Sequence, residues 1–317
     1  MRAVVLDEQG LRVTDRPVPQ PQPGEVLVRV LKAGLCETDL QLVRGYMSFQ
    51  GILGHEFVGI AESGMYRGQR VVGEINCSCG QCQTCRAGLS THCPNRSVLG
   101  ILNHDGAFAD FIAVPERNLH PVPEQVSTNH AVFVEPLAAA FQVLEQVAIH
   151  PNSIVIVLGD GRLGNLCAQV ISQTGCQLTV VGKHARKLDL LSNRGIRTTL
   201  VANVDVDRQA DIVIDCTGST TGFEMALRLL KPRGTLVLKT TVAGTQSLAM
   251  APIVIDEITV IGSRCGPFPP ALRALEDRRI DVDSLIDAIH PLDDAIAAFD
   301  RATSTPTLKL LLEPTPR

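Results

Sequence analysis

The run Ile154–Leu158 leads straight into Gly159, Asp160, Gly161, Arg162, Leu163 and Gly164, a G-x-G-x-x-G turn followed by the helical NLCAQVISQTG and a second apolar run, Leu178–Val181. Strand, turn, helix and strand at this spacing make a βαβ unit, which demands a parallel sheet covered by helices. Each glycine has a physical task. The first allows the tight turn, the second lets the backbone approach a pyrophosphate, and the third lets helix and strand pack closely, so the turn predicts a dinucleotide site. The pattern continues with the strand of ADIVIDCTG, the helix of FEMALRLLKPRG closed by Pro-Arg-Gly, and the strands TLVLKTT and ITVIGS. Two helix candidates, Pro270–Asp277 and Leu292–Arg301, and a last strand, Leu308–Leu312, follow Arg264.

About 20 residues beyond such a turn, the end of the second strand normally offers an acid to the ribose 2′-hydroxyl. Here the sequence reads VVGKHARK. Gly182 and Lys183 stand where the acid belongs, and His184, Arg186 and Lys187 follow, which favours NADP(H) over NAD(H), with NAD(H) still possible. A merely solvated basic loop is the bland alternative. Asp215 and Thr217 of DCTG end a strand where a cofactor would lie, although a turn-forming role suits them equally.

Residues 1 to about 125 are different in texture, with short apolar runs broken by Pro and Gly, which predicts a mostly β domain with long functional loops. The change falls near residue 130, where HAVFVEPLAAAFQVLEQVAI reads as one helix. The expected division is 1–128 and 129–266, with 267–317 as a mixed tail. At 317 residues the chain is long enough for two such cores.

Five of the ten cysteines lie between Cys77 and Cys93. Cys79, Cys82, Cys85 and Cys93 are spaced C-x2-C-x2-C-x7-C among Gly, Gln, Thr and Arg, which suits four thiolates around one tetrahedral Zn²⁺. An iron–sulfur centre begins with similar spacing but has a fourth interval of about three residues. Cys77 and His92 read as bystanders, and Cys167, Cys176 and Cys216 as small core residues.

Several partners are disfavoured by composition. The net charge is −4, no Lys/Arg block occurs, aromatic residues are 3% and Trp is absent, which argues against nucleic acid and anionic membranes. No stretch approaches 18 uninterrupted apolar residues and the N-terminus has no apolar signal core, so a cytoplasmic location is expected.

GLCETD at 34–39, GHE at 54–56, the four-cysteine lobe, EP at 135–136, GDGRLG at 159–164 and VIGSRCG at 260–266 together resemble the zinc-containing medium-chain dehydrogenase/reductase family. The resemblance implies an α/β plus β protein: a GroES-like N-terminal catalytic domain, a Rossmann cofactor domain with a doubly wound parallel sheet, and a C-terminal tail returning to the first domain. It implies two zinc ions per chain, a structural one in the lobe and a catalytic one, a small alcohol or carbonyl substrate, and a homo-oligomer, dimer or tetramer. Carried over by residue, Cys36 and His55 match catalytic-zinc ligands, and Glu56 and Glu135 both match positions used by, or close to, the metal in the polyol and threonine branch. Thr38 matches the hydroxyl that accepts the substrate's proton. The chain departs from the family at Gln41, where a histidine is frequent and where glutamine cannot titrate. Two rivals remain at this point: an iron–sulfur electron-transfer protein, and a nucleotide-binding scaffold without turnover.

Overall fold

The computed structural model describes residues 1–239, 248 and 250–315. It divides into two compact units, Met1–Glu135 with Phe268–Arg317, and Pro136–Pro267.

The first unit is organised around the strand Glu25–Gly34, whose Val26, Val28 and Val30 alternate into the core. It pairs antiparallel with Phe111–Pro115 near its start, with Glu56–Ala61 along its length and with Lys309–Glu313 at its end. One residue therefore has two neighbours: Gly34 stands opposite Glu56 in one pairing and opposite Leu311 in the other. This seven-stranded sheet is accompanied by a three-stranded one, Gly10–Asp15, Arg2–Asp7 and Gly51–Ile52, which buries Ala3, Val5, Ile52 and Ala109.

The first unit runs past residue 128 because the short helix Thr128–Ala131 packs on Glu25–Gly34 and Glu56–Ala61. Ser127 caps that helix, its Oγ accepting the His130 N–H at 3.2 Å. The single helix read across 130–149 is thus two, Thr128–Ala131 and Val134–Gln146. Pro136 lies in the first turn of the second, where a missing N–H breaks no hydrogen bond.

The second unit is a six-stranded sheet in the order Arg197–Leu200, Gln177–Gly182, Ile154–Leu158, Ala210–Asp215, Leu230–Leu238, Thr259–Gly262, with every neighbouring pair parallel. Strand order reverses direction beside Ile154–Leu158, which makes the sheet doubly wound. Leu158, Val181, Val213 and Leu236 pack with Phe223 of the helix Thr221–Leu229 in one buried cluster. That helix stops at Leu229, and Lys231, Pro232 and Arg233 belong to the next strand rather than to a helical stop. Residues 240 and 241 of the expected strand lie outside the described residues. Among the described residues, no helix is long and apolar enough to cross a membrane.

Candidate functional site

Two strand ends of the first unit, the end of Glu25–Gly34 and the start of Glu56–Ala61, converge on a candidate metal site. Cys36 follows Gly34 by two residues and caps the helix Glu37–Val43, while His55 immediately precedes the strand that Glu56 opens. Candidate ligand atoms of Cys36, His55 and Glu56 all lie within 4.8 Å of one another. Glu135, at the first turn of Val134–Gln146, is not part of that cluster. Of the two glutamates left open by the sequence, the structure brings Glu56 to the Cys–His pair.

The surroundings fit a cation. His55 and Glu56 are buried, and Glu56 Oε1 and His55 Nδ1 have no hydrogen-bond partner. A carboxylate oxygen left in this way is costly unless something positive meets it. The donor set of one thiolate, one imidazole and one carboxylate is one that Zn²⁺ accepts.

Asp39, which the sequence reading passed over, links two of the three. Its Oδ2 accepts the Cys36 N–H at 2.8 Å and its Oδ1 lies 3.3 Å from His55 Nδ1, a charge contact that falls short of hydrogen-bond geometry. A carboxylate behind a ligating imidazole fixes the ring and raises its basicity. Burial opposes positive charge on His55, but Asp39 and Cys36 outweigh it and its pKa stands well above the ordinary value. The three-residue spacing from the helix-capping Cys36 was the available signal for Asp39.

Lys309 was also passed over. It donates to Glu56 Oε2, and both side chains are fully buried. Burial pushes its pKa down to about 8, against the pull of Cys36 and Asp39. A lone lysine within LKLLL reads as part of a strand and nothing more. The hydroxyl of Thr38 sits 3.7 Å from Cys36 Sγ. Gln41 is engaged elsewhere, donating to Glu37 Oε1 at 2.8 Å on the exposed side of its helix.

The cysteine lobe is a second centre. Sγ–Sγ separations are 3.5 Å for Cys82–Cys85 and Cys79–Cys93, 3.8 Å for Cys82–Cys93 and 4.0 Å for Cys79–Cys85. Four sulfurs about 2.3 Å from one Zn²⁺ form a tetrahedron with edges of about 3.8 Å, so these distances leave room for one ion and not for a multi-iron cluster. All ten cysteines are free of disulfides. Amide donors from Gln81 and Cys82 bring Cys79 down to about 6, while burial raises Cys77 to about 11. Cys77 is not one of the four clustered thiols.

In the second unit the glycine turn takes the predicted form. Gly159 has φ +114°, and a Cβ on Gly164 would come within 2.1 Å of the Gly159 carbonyl oxygen. The helix Arg162–Ser172 starts on Gly161, so the first-turn amides, those of Arg162 and Leu163 among them, lack helical acceptors. Thr217 is turned inward, its N–H and hydroxyl donating to Asp215 Oδ1 at 2.9 and 2.7 Å.

The end of the second strand holds a surprise. Asp160, from within the glycine turn, reaches over Gly182 and accepts the amides of Lys183 and His184 at 2.6 Å each, with His184 Nδ1 at 3.1 Å. A Cβ on Gly182 would lie 2.6 Å from the Asp160 Cβ. A carboxylate therefore does occupy this place, delivered from the glycine turn, while Lys183 and Arg186 remain exposed.

A GroES-like sheet unit with a Cys–His–Glu cluster and a four-thiol lobe, joined in one chain to a doubly wound nucleotide-type unit, is the combination of a zinc-binding dehydrogenase. Known proteins agree. The alcohol dehydrogenase GroES-like domain model matches residues 22–124 and the zinc-binding dehydrogenase model residues 163–277. The L-threonine 3-dehydrogenase of Rhizobium etli CIAT 652 is 33% identical over 244 residues, covering 72% of this chain and 69% of its own. The sorbitol dehydrogenase of Halalkalibacterium halodurans is 27% identical, covering 99% of both chains. A zinc-binding dehydrogenase from Sinorhizobium meliloti 1021, solved bound to NADP, superposes with a TM-score of 0.90 at 28% identity and 99% coverage of each chain. The chain belongs to the zinc-containing medium-chain dehydrogenase/reductase family and is an enzyme of its alcohol and polyol dehydrogenase type.

Proposed function

We propose that this enzyme interconverts a small alcohol or polyol and the corresponding carbonyl compound, with Cys36, His55 and Glu56 holding a catalytic zinc and NADP(H) as the favoured hydride carrier. The carrying observation is the Cys36–His55–Glu56 cluster, with His55 and Glu56 buried and one Glu56 oxygen unpartnered. When bound, the metal supplies positive charge that stabilises an oxygen anion which water would leave protonated. Asp39 keeps His55 in register, and the Thr38 hydroxyl takes the proton lost from the substrate oxygen while passing its own on to solvent water. Gln41 takes no part in that transfer. Glu135 is assigned to the surroundings of the site rather than to the metal. Cys79, Cys82, Cys85 and Cys93 hold a second, structural zinc, so the expected content is two per chain.

NADP(H) is supported by the exposed Lys183 and Arg186 and by the saturation of Asp160 Oδ2 with two amides. Asp160 also favours a second reading, NAD(H), because its carboxylate stands where a ribose acid would act. A reducing, cytoplasmic setting suits ten thiols without a disulfide. Self-association is supported by the sheet's outer strand Thr259–Gly262, where Val260 is exposed, with Val254 and Ile255 also exposed nearby in sequence. A monomeric mass in sedimentation would contradict it.

The reading is tested by assaying alcohols, polyols and their carbonyl products with both cofactors, before and after metal chelation. Turnover of at least one C–OH/C=O pair that chelation abolishes and Zn²⁺ restores is expected. Turnover indifferent to chelation, with the metal shown to be gone, would contradict it.

A further inference from the structure

The ion pair between Lys309 and Glu56 serves no step described above, yet it is the strongest charge feature beside the metal donors. Lys309 Nζ contacts Glu56 Oε2, lies 3.4 Å from the Leu35 carbonyl oxygen and sits 5.5 Å from the centre of the Phe133 ring. The fold makes room for it deliberately. A Cβ on Gly34 would stand 2.6 Å from Glu56 Oε2, 2.8 Å from Val132 Cγ1 and 2.9 Å from Lys309 Nζ. The sheet register puts Glu56 and Leu311 on either side of that glycine, with Lys309 two residues before Leu311 and so on the same strand face.

Stability alone does not explain the pair. Burying two charges costs several kcal/mol per ion, and well-packed apolar residues of the same volume are often as stable or more so. The charge balance of the metal centre does explain it. Cys36 as thiolate, Asp39 and Glu56 bring three negative charges, and His55 binds metal as the neutral ring. A divalent cation leaves one negative charge uncompensated in a buried site. Lys309 supplies the missing positive charge.

The two Glu56 oxygens are also distinguished. Oε2 is taken by Lys309, whereas Oε1 has no partner. We infer that Lys309 is a built-in counter-ion and positioning residue for Glu56, holding Oε2 away from the metal, so that lysine and metal compete for the charge of one carboxylate. This rests on Cys36, His55 and Glu56 being the catalytic metal site. Competition of this kind is reciprocal: removing the lysine strengthens metal binding, and because the metal then takes more charge from Glu56 it polarises a substrate oxygen less.

The test uses Co²⁺ in the catalytic site of the full-length protein with the lobe metal in place, reading affinity by chelator competition and geometry by the visible absorption of Co²⁺. Lys309→Met is expected to tighten Co²⁺ binding by at least about fivefold and to change the absorption bands, while Lys309→Arg, which keeps the charge, stays within about twofold of wild type. Glu56→Gln and the double variant Lys309→Met/Glu56→Gln are expected to bind Co²⁺ alike, within about twofold, since the lysine acts only through that carboxylate. If the single Lys309→Met variant does not fold, Lys309→Gln, which keeps an N–H donor for Glu56 Oε2 and removes the charge, is read in its place with the same tightening expected. Unchanged or weaker Co²⁺ binding with wild-type bands in Lys309→Met, or different affinities in the Glu56→Gln pair, would overturn the inference. A wild-type protein that takes up Co²⁺ or Zn²⁺ only at the lobe would instead overturn the reading of the site itself.

Discussion

Asp39 and Asp160 play a similar physical part in two places: each carboxylate accepts backbone N–H, one at Asp39 and two at Asp160, and faces a histidine ring. Asp160 bears on the proposed preference for NADP(H). Its bonds hold the Lys183–His184 turn so that Lys183 projects outward, and an acid at 183 would put negative charge beside a bound 2′-phosphate. Lys183→Asp is therefore expected to shift the NADP/NAD ratio of kcat/KM toward NAD by about tenfold or more, and an unchanged ratio would remove the basic turn from cofactor recognition. At this scale the sequence was uneven as a guide. Cys36 and His55 could be picked out only through the motifs around them, because a lone Cys and a lone His 19 positions apart have no periodic signature. Lys309 and Asp160 were invisible for a related reason: their partners are distant in the chain, and strand register, not spacing, brings them together.

At the level of elements, local chemistry carried further. The C-x2-C-x2-C-x7-C spacing foretold four thiols that converge within 4.0 Å where measured, since short loops leave such residues little choice. Only short pieces, Gln83–Arg86 and Ser90–His92, give this lobe regular structure, so the proposed lobe metal would provide much of its folding energy. Cys82→Ser is expected to lose the lobe metal and lower Tm by about 5 °C or more in a thermal melt. A variant with wild-type Tm and full metal content would show that the lobe folds without it. The glycine turn was equally legible, its strand, turn and helix being contiguous. The stretch 130–149 was not, because Ser127 capping and the packing of Thr128–Ala131 on two distant strands split what helical periodicity alone would join.

Across the whole molecule, the alternation of strand and helix after residue 150 was enough to foresee a doubly wound parallel sheet, and the six strands take that order. The first unit was harder to read. Its central strand gathers partners from residues 56–61, 111–115 and 309–313, and no local pattern announces pairing over such separations. That pairing nevertheless builds the proposed catalytic centre, by placing Cys36, Glu56 and Lys309 around Gly34. This proposed centre is expected to hold a zinc distinct from the one in the lobe and needed for turnover. Metal content and alcohol oxidation measured side by side in wild type and Cys36→Ser test it most directly. About two zinc ions per chain are expected in wild type and about one in Cys36→Ser, with turnover reduced by about a thousandfold or more and Tm still reflecting an intact lobe. Wild-type turnover in Cys36→Ser, or an unchanged zinc content, would contradict it.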